Sequence, residues 1–288
     1  MALAEWLTVR PAMCEYKRIK EELGNAALNT VCAEAHCPNI TECWSGGTAT
    51  FMVLGNLCTR GCRFCSVPKS LHGNALDPEE PARLAKTIVK WGLRYAVVTS
   101  VCRDDLPDQG SAHFAQCVRE AKHLNPSTKI EVLIPDFRGD IDCLKRVIDS
   151  GPDVVGHNIE TVERLSPAVR DRRASYSQSL AVLANAKASG ARYTKSAMML
   201  GLGESGSEVL KVMADLRNAD VDFLALGQYL RPSIHHIEVK EYVKPERFDA
   251  LRDAGIGMGF RYVAAGPFVR SSYRAGEYFD RLLPTNVK

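Results

Sequence analysis

From residue 49 onward, short apolar runs rich in β-branched residues alternate with longer amphipathic stretches. This alternation is typical of strand and helix units repeated around a parallel sheet, each unit taking roughly 30 residues. It predicts six strands, and residues 260–264 are a candidate for a further one. The six predicted strands are 49–55, 95–100, 129–135, 153–160, 194–200 and 222–229.

Local signals mark where helices begin and end. The acidic sequence DPEE at 77–80 predicts the first turn of a helix that Gly92 closes. Ser207 predicts the N-cap of another helix, and KPE at 244–246 predicts the start of a later one. Six units are too few for a closed eight-stranded barrel. The sequence therefore predicts an α/β fold, a partial and open parallel (β/α)6 barrel of the TIM type, with its active site at the C-terminal ends of the strands.

The two ends of the chain lack this strand and helix rhythm. Residues 1–48 contain a predicted helix at 14–24 followed by a cysteine-rich stretch, and residues 266–288 follow the last predicted strand. We expect an N-terminal extension over 1–48, a barrel body over 49–265 and a C-terminal extension over 266–288 that packs against the body.

Composition narrows the class of protein. The chain has 288 residues, 45% of them hydrophobic, which is enough to bury the core of one large domain. Its net charge of +3, with acids and bases interspersed, is too weak to indicate nucleic-acid binding. No apolar stretch approaches the roughly 20 residues of a membrane span, and the N-terminal sequence lacks the order of a secretory signal. We expect a cytoplasmic enzyme with neither a nucleic-acid nor a membrane partner.

Six of the ten cysteines fall into two sets of three. The first set is Cys32, Cys37 and Cys43, and the second is Cys58, Cys62 and Cys65. Structural zinc sites are closed by four protein ligands, whereas a [4Fe-4S] cluster held by three thiolates leaves one iron open for a substrate or cofactor. Sets of three therefore favour iron–sulfur clusters over zinc, for which His36 or His72 would have to supply a fourth ligand. In a reducing compartment they also favour metal over disulfides. The other four, Cys14, Cys102, Cys117 and Cys143, are interpreted as small buried apolar side chains.

The second cysteine set directly follows the first predicted strand, which puts it on a loop at the catalytic end of the barrel. Its C-x3-C-x2-C spacing, with Phe64 before the last cysteine, resembles the radical S-adenosylmethionine (SAM) superfamily. The resemblance implies that Cys58, Cys62 and Cys65 are catalytic and hold a [4Fe-4S] cluster whose open iron binds SAM. It also implies reductive cleavage of SAM to methionine and a 5′-deoxyadenosyl radical, which abstracts hydrogen from unactivated carbon.

The first set has the spacing C-x4-C-x5-C, and the sequence RSSY occupies 270–273. Together with LIPDF at 133–137, GHNIET at 156–161, GLGE at 201–204 and QYLRPS at 228–233, these motifs resemble the lipoyl synthase family over almost the whole chain. The resemblance implies an auxiliary [4Fe-4S] cluster that serves as the sulfur source. Its implied ligands are Cys32, Cys37, Cys43 and Ser272, with Ser271 as a less favoured alternative to Ser272. Taken without the resemblance, a Ser-Ser pair is typical of a solvated turn or a helix cap.

The same resemblance implies the reaction and its partners. A lipoyl synthase inserts two sulfur atoms at C6 and C8 of an octanoyl chain attached to a lysine of a lipoyl carrier domain, using one radical for each C–H bond. The implied cofactors are two [4Fe-4S] clusters and SAM. The implied partners are octanoylated carrier domains, of the glycine cleavage H-protein type and the 2-oxoacid dehydrogenase E2 type, and a reducing electron donor.

Several residues at predicted strand ends are candidates for the SAM pocket. Asn158 and Glu160 could hold the ribose hydroxyls or the methionine ammonium, and Lys195 could hold the methionine carboxylate. Gly201 and Gly203 would allow close approach of the adenine. Each also has a structural alternative: a turn cap for Asn158, a surface ion pair for Glu160, and an ordinary turn for the glycines.

Other polar groups near the predicted site stay open between function and a solvated surface. They are the run Arg103-Asp104-Asp105 after the second predicted strand, the cations Arg60, Arg63 and Arg231, and the pair His235-His236, which is interpreted as part of a surface or substrate-contact loop.

Two other functions compete with this interpretation. One is a different radical SAM enzyme with an auxiliary cluster, such as a methylthiotransferase; those enzymes append an RNA-binding domain, and the sequence predicts no separate basic domain of that kind. The other is a non-catalytic iron–sulfur or zinc protein, which would leave the barrel and the open coordination positions without a use.

Overall fold

The computed structural model describes residues 4–7, 28–34 and 39–280. Within them the chain forms one sheet of eight strands, ordered along the sheet as they are along the chain and not closed into a complete barrel. The strands are β1 (Asn29–Thr30), β2 (Thr48–Val53), β3 (Tyr95–Ser100), β4 (Lys129–Leu133), β5 (Val154–Gly156), β6 (Thr194–Leu200), β7 (Phe223–Gln228) and β8 (Tyr262–Gly266). Strands β2 to β8 are parallel, and β1 pairs antiparallel with β2.

Helices cover the outside of the sheet and its two ends. Those described are α1 (Val31–Glu34), α2 (Ile40–Ser45), α3 (Glu80–Lys90), α4 (Ser111–Leu124), α5 (Ile141–Ile148), α6 (Ser166–Val169), α7 (Tyr176–Ala188), α8 (Gly206–Asn218), α9 (Pro245–Gly257) and α10 (Ala275–Asp280). None of them is long and apolar enough to cross a membrane.

The alternation of side chains along each strand sorts them into two apolar layers. Val98 of β3 packs outward in the cluster that holds Ile88 of α3 and Phe114 of α4. Val97 faces inward, in a cluster with Ala197 of β6. Both faces of the sheet are therefore buried, which is why the strands appear in the sequence as almost continuous apolar runs.

The C-terminal segment runs inside the barrel. Val269 and Ala275 belong to the inward-facing cluster, together with Ala225 of β7. The backbone of Val269 lies directly on Gly227 of β7, and a Cβ atom added there would collide with its carbonyl oxygen. Only glycine fits beneath this segment, so β7 fixes where the segment enters the barrel.

The predicted barrel is confirmed, and the structure corrects several details of it. The candidate strand 260–264 is present as β8, whereas the short antiparallel β1 was not predicted. Strand β5 ends at Gly156, so Asn158 and Glu160 lie in the loop that follows rather than on the strand. The N-cap of α8 is Ser205, not Ser207, because Ser205 and Glu208 form a reciprocal capping box. The predicted helix 14–24 lies outside the described residues.

Candidate active site

The second cysteine set lies on the loop after β2, at the C-terminal edge of the sheet. Cys58 closes the base of this loop, since its N–H donates to Pro68 O at 2.9 Å and its carbonyl accepts from the Ser70 N–H at 3.0 Å. Near the other end, the Cys65 N–H donates to Cys62 O at 3.3 Å. The loop therefore folds back on itself with its three thiols on one short stretch, at the position that barrel enzymes use for catalysis.

A turn with left-handed backbone begins this loop. Leu54 has a φ of 69°, which is uncommon for a residue with a side chain, and both of its backbone polar groups are bound by buried side chains. Its N–H donates to the Glu80 carboxylate at 3.0 Å, and its carbonyl accepts from Arg103 at 3.2 Å. Arg103 in turn pairs with Asp105 at 2.9 Å. Arg103 and Asp105 thus support the turn, which is a structural use of the predicted polar run.

Glu80 also takes part in a second buried group. His113 lies 2.7 Å from its carboxylate, and the Cys117 thiol completes a group of three ligand atoms within 4.8 Å of one another. It is the one such trio among the described residues. The Glu80 oxygen that faces His113 also accepts the Leu54 N–H. The three side chains are therefore explained by a structural role, which is to support the turn at Leu54.

Arg60 is the most deeply held cation of the cysteine loop. It is only 5% exposed, and its guanidinium binds Asp104 at 2.9 Å and Asp136 at 2.7 Å. Burial alone would raise the pKa of the Asp104 carboxyl, but the hydrogen bonds from Arg60 and Thr59 hold that pKa well below its ordinary value. Arg60 and Asp104, which sequence reasoning left open between function and a solvated face, join the cysteine loop to the ends of β3 and β4.

The three thiols differ in their electrostatics. A hydrogen bond with the Cys102 thiol, opposed by burial and assisted by the Arg60 N–H, lowers the pKa of Cys58 to about 6. Burial raises the pKa of Cys62, and it raises the pKa of Cys65 to about 11. The Cys58 thiolate is thus the easiest of the three to form, and a bound metal centre would have to displace the protons of the other two thiols.

The spacing of these sulfurs tests which metal group fits. Two thiolates on one zinc ion, each at about 2.3 Å, would lie no more than about 4.6 Å apart. The thiols of Cys58, Cys62 and Cys65 do not all lie within 4.8 Å of one another. The three sulfurs as placed are therefore too far apart to share one zinc ion, which favours a larger group such as an iron–sulfur cluster. His72, which the zinc alternative would need as a fourth ligand, is exposed.

The remaining cysteines fall into two kinds. Cys117 and Cys143 are buried, as predicted. Cys102 is not a simple buried apolar side chain, because it is half-buried and its free thiol lies close enough to Cys58 to lower the pKa of the Cys58 thiol. Its position directly after β3, the strand next to β2, was the only sequence signal of this contact. Cys14 lies outside the described residues.

Glu160 faces the cysteine loop from across the barrel opening. Its φ is 67°, and its backbone is fixed to β6: its N–H donates to Ala197 O at 3.0 Å, and its carbonyl accepts from the Met199 N–H at 2.9 Å. Burial raises the pKa of its carboxyl. Its charge raises the pKa of both Cys62 and Cys65, so the carboxylate is close enough to the thiols to act on them.

Two of the other predicted SAM contacts are glycines with positive φ. Gly201, at 96°, packs against Gln228 and the carbonyl of Glu241, and its N–H donates to the Glu204 carboxylate at 2.6 Å. Gly203, at 104°, has only the Lys240 side chain near the place of a Cβ. Gly201 is therefore required by the protein's own packing, and Gly203 is the more open of the two.

Lys195 lies elsewhere, because the assumption that it ends a strand is wrong. It is the second residue of β6, and its ammonium binds both Glu131 oxygens, at 3.0 and 2.9 Å, with both side chains buried. The Tyr95 hydroxyl donates to the same carboxylate at 2.7 Å. The structure does not bring Lys195 together with the cysteine loop; it places the ammonium in an internal ion pair.

The loop after β7 closes over the cysteine loop. His236 donates through Nε2 to Cys65 O at 3.1 Å, and the Ile237 N–H donates to Arg63 O at 3.0 Å. His235, Arg63 and Arg231 are exposed. The interpretation of the histidine pair as part of a surface loop is confirmed, and His236 has the added role of holding the cysteine loop.

A second site lies at the opposite end of β2. Cys32, Cys43 and Ser272 line one cavity, together with Thr48 and Thr50 of β2. Cys37 lies outside the described residues. The two chain segments that meet here are tied by Asn39 Nδ2, which donates to Phe268 O at 2.6 Å, and by the Tyr273 hydroxyl, which donates to Glu42 at 3.1 Å. Two of the three predicted cysteines and the predicted serine thus face the same small space.

Comparison with known proteins identifies the family. The family model described as the Radical SAM superfamily matches residues 52–216. Lipoyl synthase of Anaeromyxobacter sp. (strain Fw109-5) is 56% identical over 278 residues, which cover 96% of this chain and 94% of that protein. The chain belongs to the lipoyl synthase family. The mitochondrial lipoyl synthase of Vitis vinifera is 54% identical over 93% of this chain and 70% of its own length.

Membership of the family makes the chain a radical SAM sulfurtransferase, with SAM and [4Fe-4S] as its cofactors, as the resemblance of its motifs implied. Solved structures agree on the fold. The hydrogenase maturase HydG has a TM-score of 0.60 at 16% identity, over 75% of this chain and 50% of its own. Methylornithine synthase (PylB) has a TM-score of 0.57 at 12% identity, over 83% of this chain and 73% of its own. At these identities the likeness concerns the barrel alone.

Proposed function

We propose that this chain inserts two sulfur atoms, at C6 and C8, into an octanoyl chain attached to a lysine of a lipoyl carrier domain. Cys58, Cys62 and Cys65 hold the SAM-binding cluster. Cys32, Cys37, Cys43 and Ser272 hold the auxiliary cluster. When bound, these cofactors supply the radical that removes hydrogen from each carbon and the sulfur that replaces it. The carrier domains are of the glycine cleavage H-protein and 2-oxoacid dehydrogenase E2 types, and a reducing electron donor completes the system.

One observation carries the proposal: Cys32, Cys43 and Ser272, which are far apart in sequence, line the same cavity. A serine oxygen is a harder ligand than thiolate and is less suited to iron–sulfur bonding. An iron held by Ser272 is therefore released more easily than one held by a cysteine. That property suits a cluster that must give up its sulfur.

The inward face of the barrel suits an acyl chain. Val97, Ala197 and Ala225 belong to an apolar cluster on this face, and their side chains suit contact with an apolar ligand. An apolar enclosure also keeps water and stray hydrogen donors away from a radical. Asn158, Glu160 and Gly203 lie on the side of the cysteine loop, where they would contact SAM.

The test is anaerobic incubation of protein holding both clusters with SAM, a reductant and an octanoyl-lysine peptide, followed by mass spectrometry of the peptide. A gain of two sulfurs is the expected result. Formation of 5′-deoxyadenosine without any change in the peptide would overturn the proposed substrate, and a gain of a methylthio group would point to a methylthiotransferase.

Ser272→Ala sharpens the same experiment. We expect SAM cleavage to persist while sulfur insertion falls by about tenfold or more, because loss of even an outer partner of a metal ligand costs about that much. Ser127→Ala, at an exposed serine of the loop before β4, is the matched control. Equal losses of cleavage and insertion in Ser272→Ala would contradict the assigned role.

A further inference from the structure

Ser271 and Ser272 are neighbours that bind in different directions. Ser272 lines the cavity of Cys32 and Cys43. The Ser271 hydroxyl instead donates to Asn158 Oδ1 at 3.1 Å, across 113 positions of sequence. The barrel thus holds the segment that carries Ser272 through the neighbouring Ser271, which does not line the cavity.

Asn158 also lies beside Glu160. Its side chain lowers the pKa of the Glu160 carboxyl, against the raising effect of burial. A carboxylate only accepts hydrogen bonds, a hydroxyl can donate one, and an amide offers both an acceptor and donors, so the order hydroxyl, amide, carboxylate satisfies each group. Reversing the amide would face its donors toward Ser271 and leave its oxygen against a carboxylate.

Glu160, two residues after Asn158, is held in an uncommon conformation. Its left-handed backbone is fixed by the bonds to Ala197 and Met199 described above. Such conformations persist where the surrounding structure over-determines them, and they concentrate at functional sites. Because the Glu160 backbone is fixed, it does not move with Asn158. A displacement of the Asn158 side chain therefore changes the surroundings of the Glu160 carboxylate.

We infer that Asn158 and Ser271 are positioning residues that couple the SAM pocket to the serine ligand of the auxiliary cluster. The inference rests on the proposed function, because it takes Glu160 as a SAM contact and Ser272 as a ligand. Through this bridge, SAM in its pocket orders Glu160 and Asn158, and Asn158 holds the segment that presents Ser272. By linkage, the bridge also lets the Ser272 segment affect SAM affinity.

The first test measures SAM affinity by equilibrium dialysis, with protein that holds both clusters and with no reductant or peptide. Loss of a hydrogen bond worth a net 1 kcal/mol corresponds to about a fivefold change in dissociation constant. Ser271→Ala should therefore raise the SAM dissociation constant by about fivefold. Ser271→Thr keeps the hydroxyl and should restore the native value, whereas Ser272→Ala should change it by less than about twofold because the bridge remains.

A double-mutant cycle tests whether Asn158 and Ser271 act together. If the bridge is real, Asn158→Ala combined with Ser271→Ala binds SAM no more weakly than Asn158→Ala alone. Additive losses would overturn the coupling. So would native affinity in Ser271→Ala, or equal weakening in Ser271→Ala and Ser271→Thr accompanied by equal losses of thermal stability.

A second readout follows the reaction itself. Ser271→Ala should release about fivefold more 5′-deoxyadenosine per sulfur inserted than the native chain, because a displaced Ser272 segment delays the sulfur step after the radical has formed. An unchanged ratio would overturn the inference. The proposed function fails in a different way, through a native protein that gives no sulfur-containing peptide, and the contrast in SAM affinity between the two serine variants does not depend on that outcome.

Discussion

The two cysteine sites differ in how the chain holds them. The loop of Cys58, Cys62 and Cys65 is bonded to residues after β3, after β4, after α6 and after β7, so most of the barrel edge contributes to it. The cavity of Cys32 and Cys43 is assembled from two segments that are far apart in sequence. Among the described residues, the side-chain hydrogen bonds of these segments include those of Asn39 to Phe268, Tyr273 to Glu42 and Ser271 to Asn158, all of them partly exposed to solvent.

The difference matters because local opening requires the breaking of such ties. A segment with many buried hydrogen bonds opens rarely, while one held by a few partly exposed bonds opens at much lower free energy. Under the proposed function, the first site keeps its cluster through every turnover and the second gives its cluster up. The site with more hydrogen bonds to the barrel is thus the one that keeps its cluster.

The largest expected effect comes from removing the buried ion pairs of Arg60, which hold the loop of Cys58, Cys62 and Cys65. Arg60→Met leaves the buried Asp136 carboxylate without its cation and leaves Asp104 with only the more exposed Arg138 and Arg173, and breaking a buried ion pair costs about 3–5 kcal/mol. We expect a loss of that size in the free energy of unfolding, measured by urea denaturation, together with loss of SAM cleavage. Arg63→Met, at an exposed arginine of the same loop, should change stability by less than about 0.5 kcal/mol. Similar losses of stability in both variants would mean that the buried ion pairs of Arg60 have no special part in holding the loop.

Acid should weaken the barrel on the same side. His157 donates to Ile134 O at 2.9 Å and accepts from Ser179, and burial, with the nearby Arg170 cation, lowers its pKa from 6.5 to about 4. Between these values the unfolded chain binds a proton that the fold does not, so stability falls as the pH drops from about 6.5 to 4, by up to about 3 kcal/mol.

Denaturation curves at intervals from pH 7 to pH 4 would measure this loss. In the variant His157→Gln, the glutamine that replaces the imidazole does not titrate. This variant should therefore lack most of the pH dependence of stability. An equally steep decline in the variant would assign the acid sensitivity to other groups.

The smallest effect on the fold, and the most selective one on the second site, is expected for Gly227→Ala. The added methyl group collides with the Val269 backbone, and overpacking of this kind costs about 1–3 kcal/mol. Because the C-terminal segment can move away while the sheet stays intact, we expect SAM cleavage to persist and sulfur insertion to fall. Gly257→Ala, in α9 with nothing within 4 Å of the added atom, is the matched control. If both variants insert sulfur like the native chain, the contact with Gly227 does not position the segment.

The barrel and the two cysteine sets could be predicted from the sequence because both depend on the spacing of residues that are close together in the chain. The strands follow apolar runs, and each cysteine set lies within a dozen residues. Even the misplaced cap had a local answer, since the pattern S-x-x-E selects Ser205 with Glu208 rather than Ser207.

Contacts between distant parts of the chain had no such signal. Arg60 meets Asp136 across 76 positions, and Asn158 meets Ser271 across 113. Lys195 is the second residue both of the predicted strand 194–200 and of β6, and nothing local indicates that its partner is Glu131, 64 positions away. Periodicity along one strand indicates which side chains face inward, but the partner that each inward polar group finds depends on how all the strands close around it.

Strand β2 has a consequence of its own for the two sites. It runs from the cavity of Cys43 toward the loop of Cys58, and its six residues span roughly 17 Å at about 3.3 Å per residue. Backbone hydrogen bonds to β1 on one side and β3 on the other prevent it from stretching or sliding. The strand therefore fixes the separation of Thr48, at the cavity, from Val53, just before the cysteine loop, while the loops at either end can open and close.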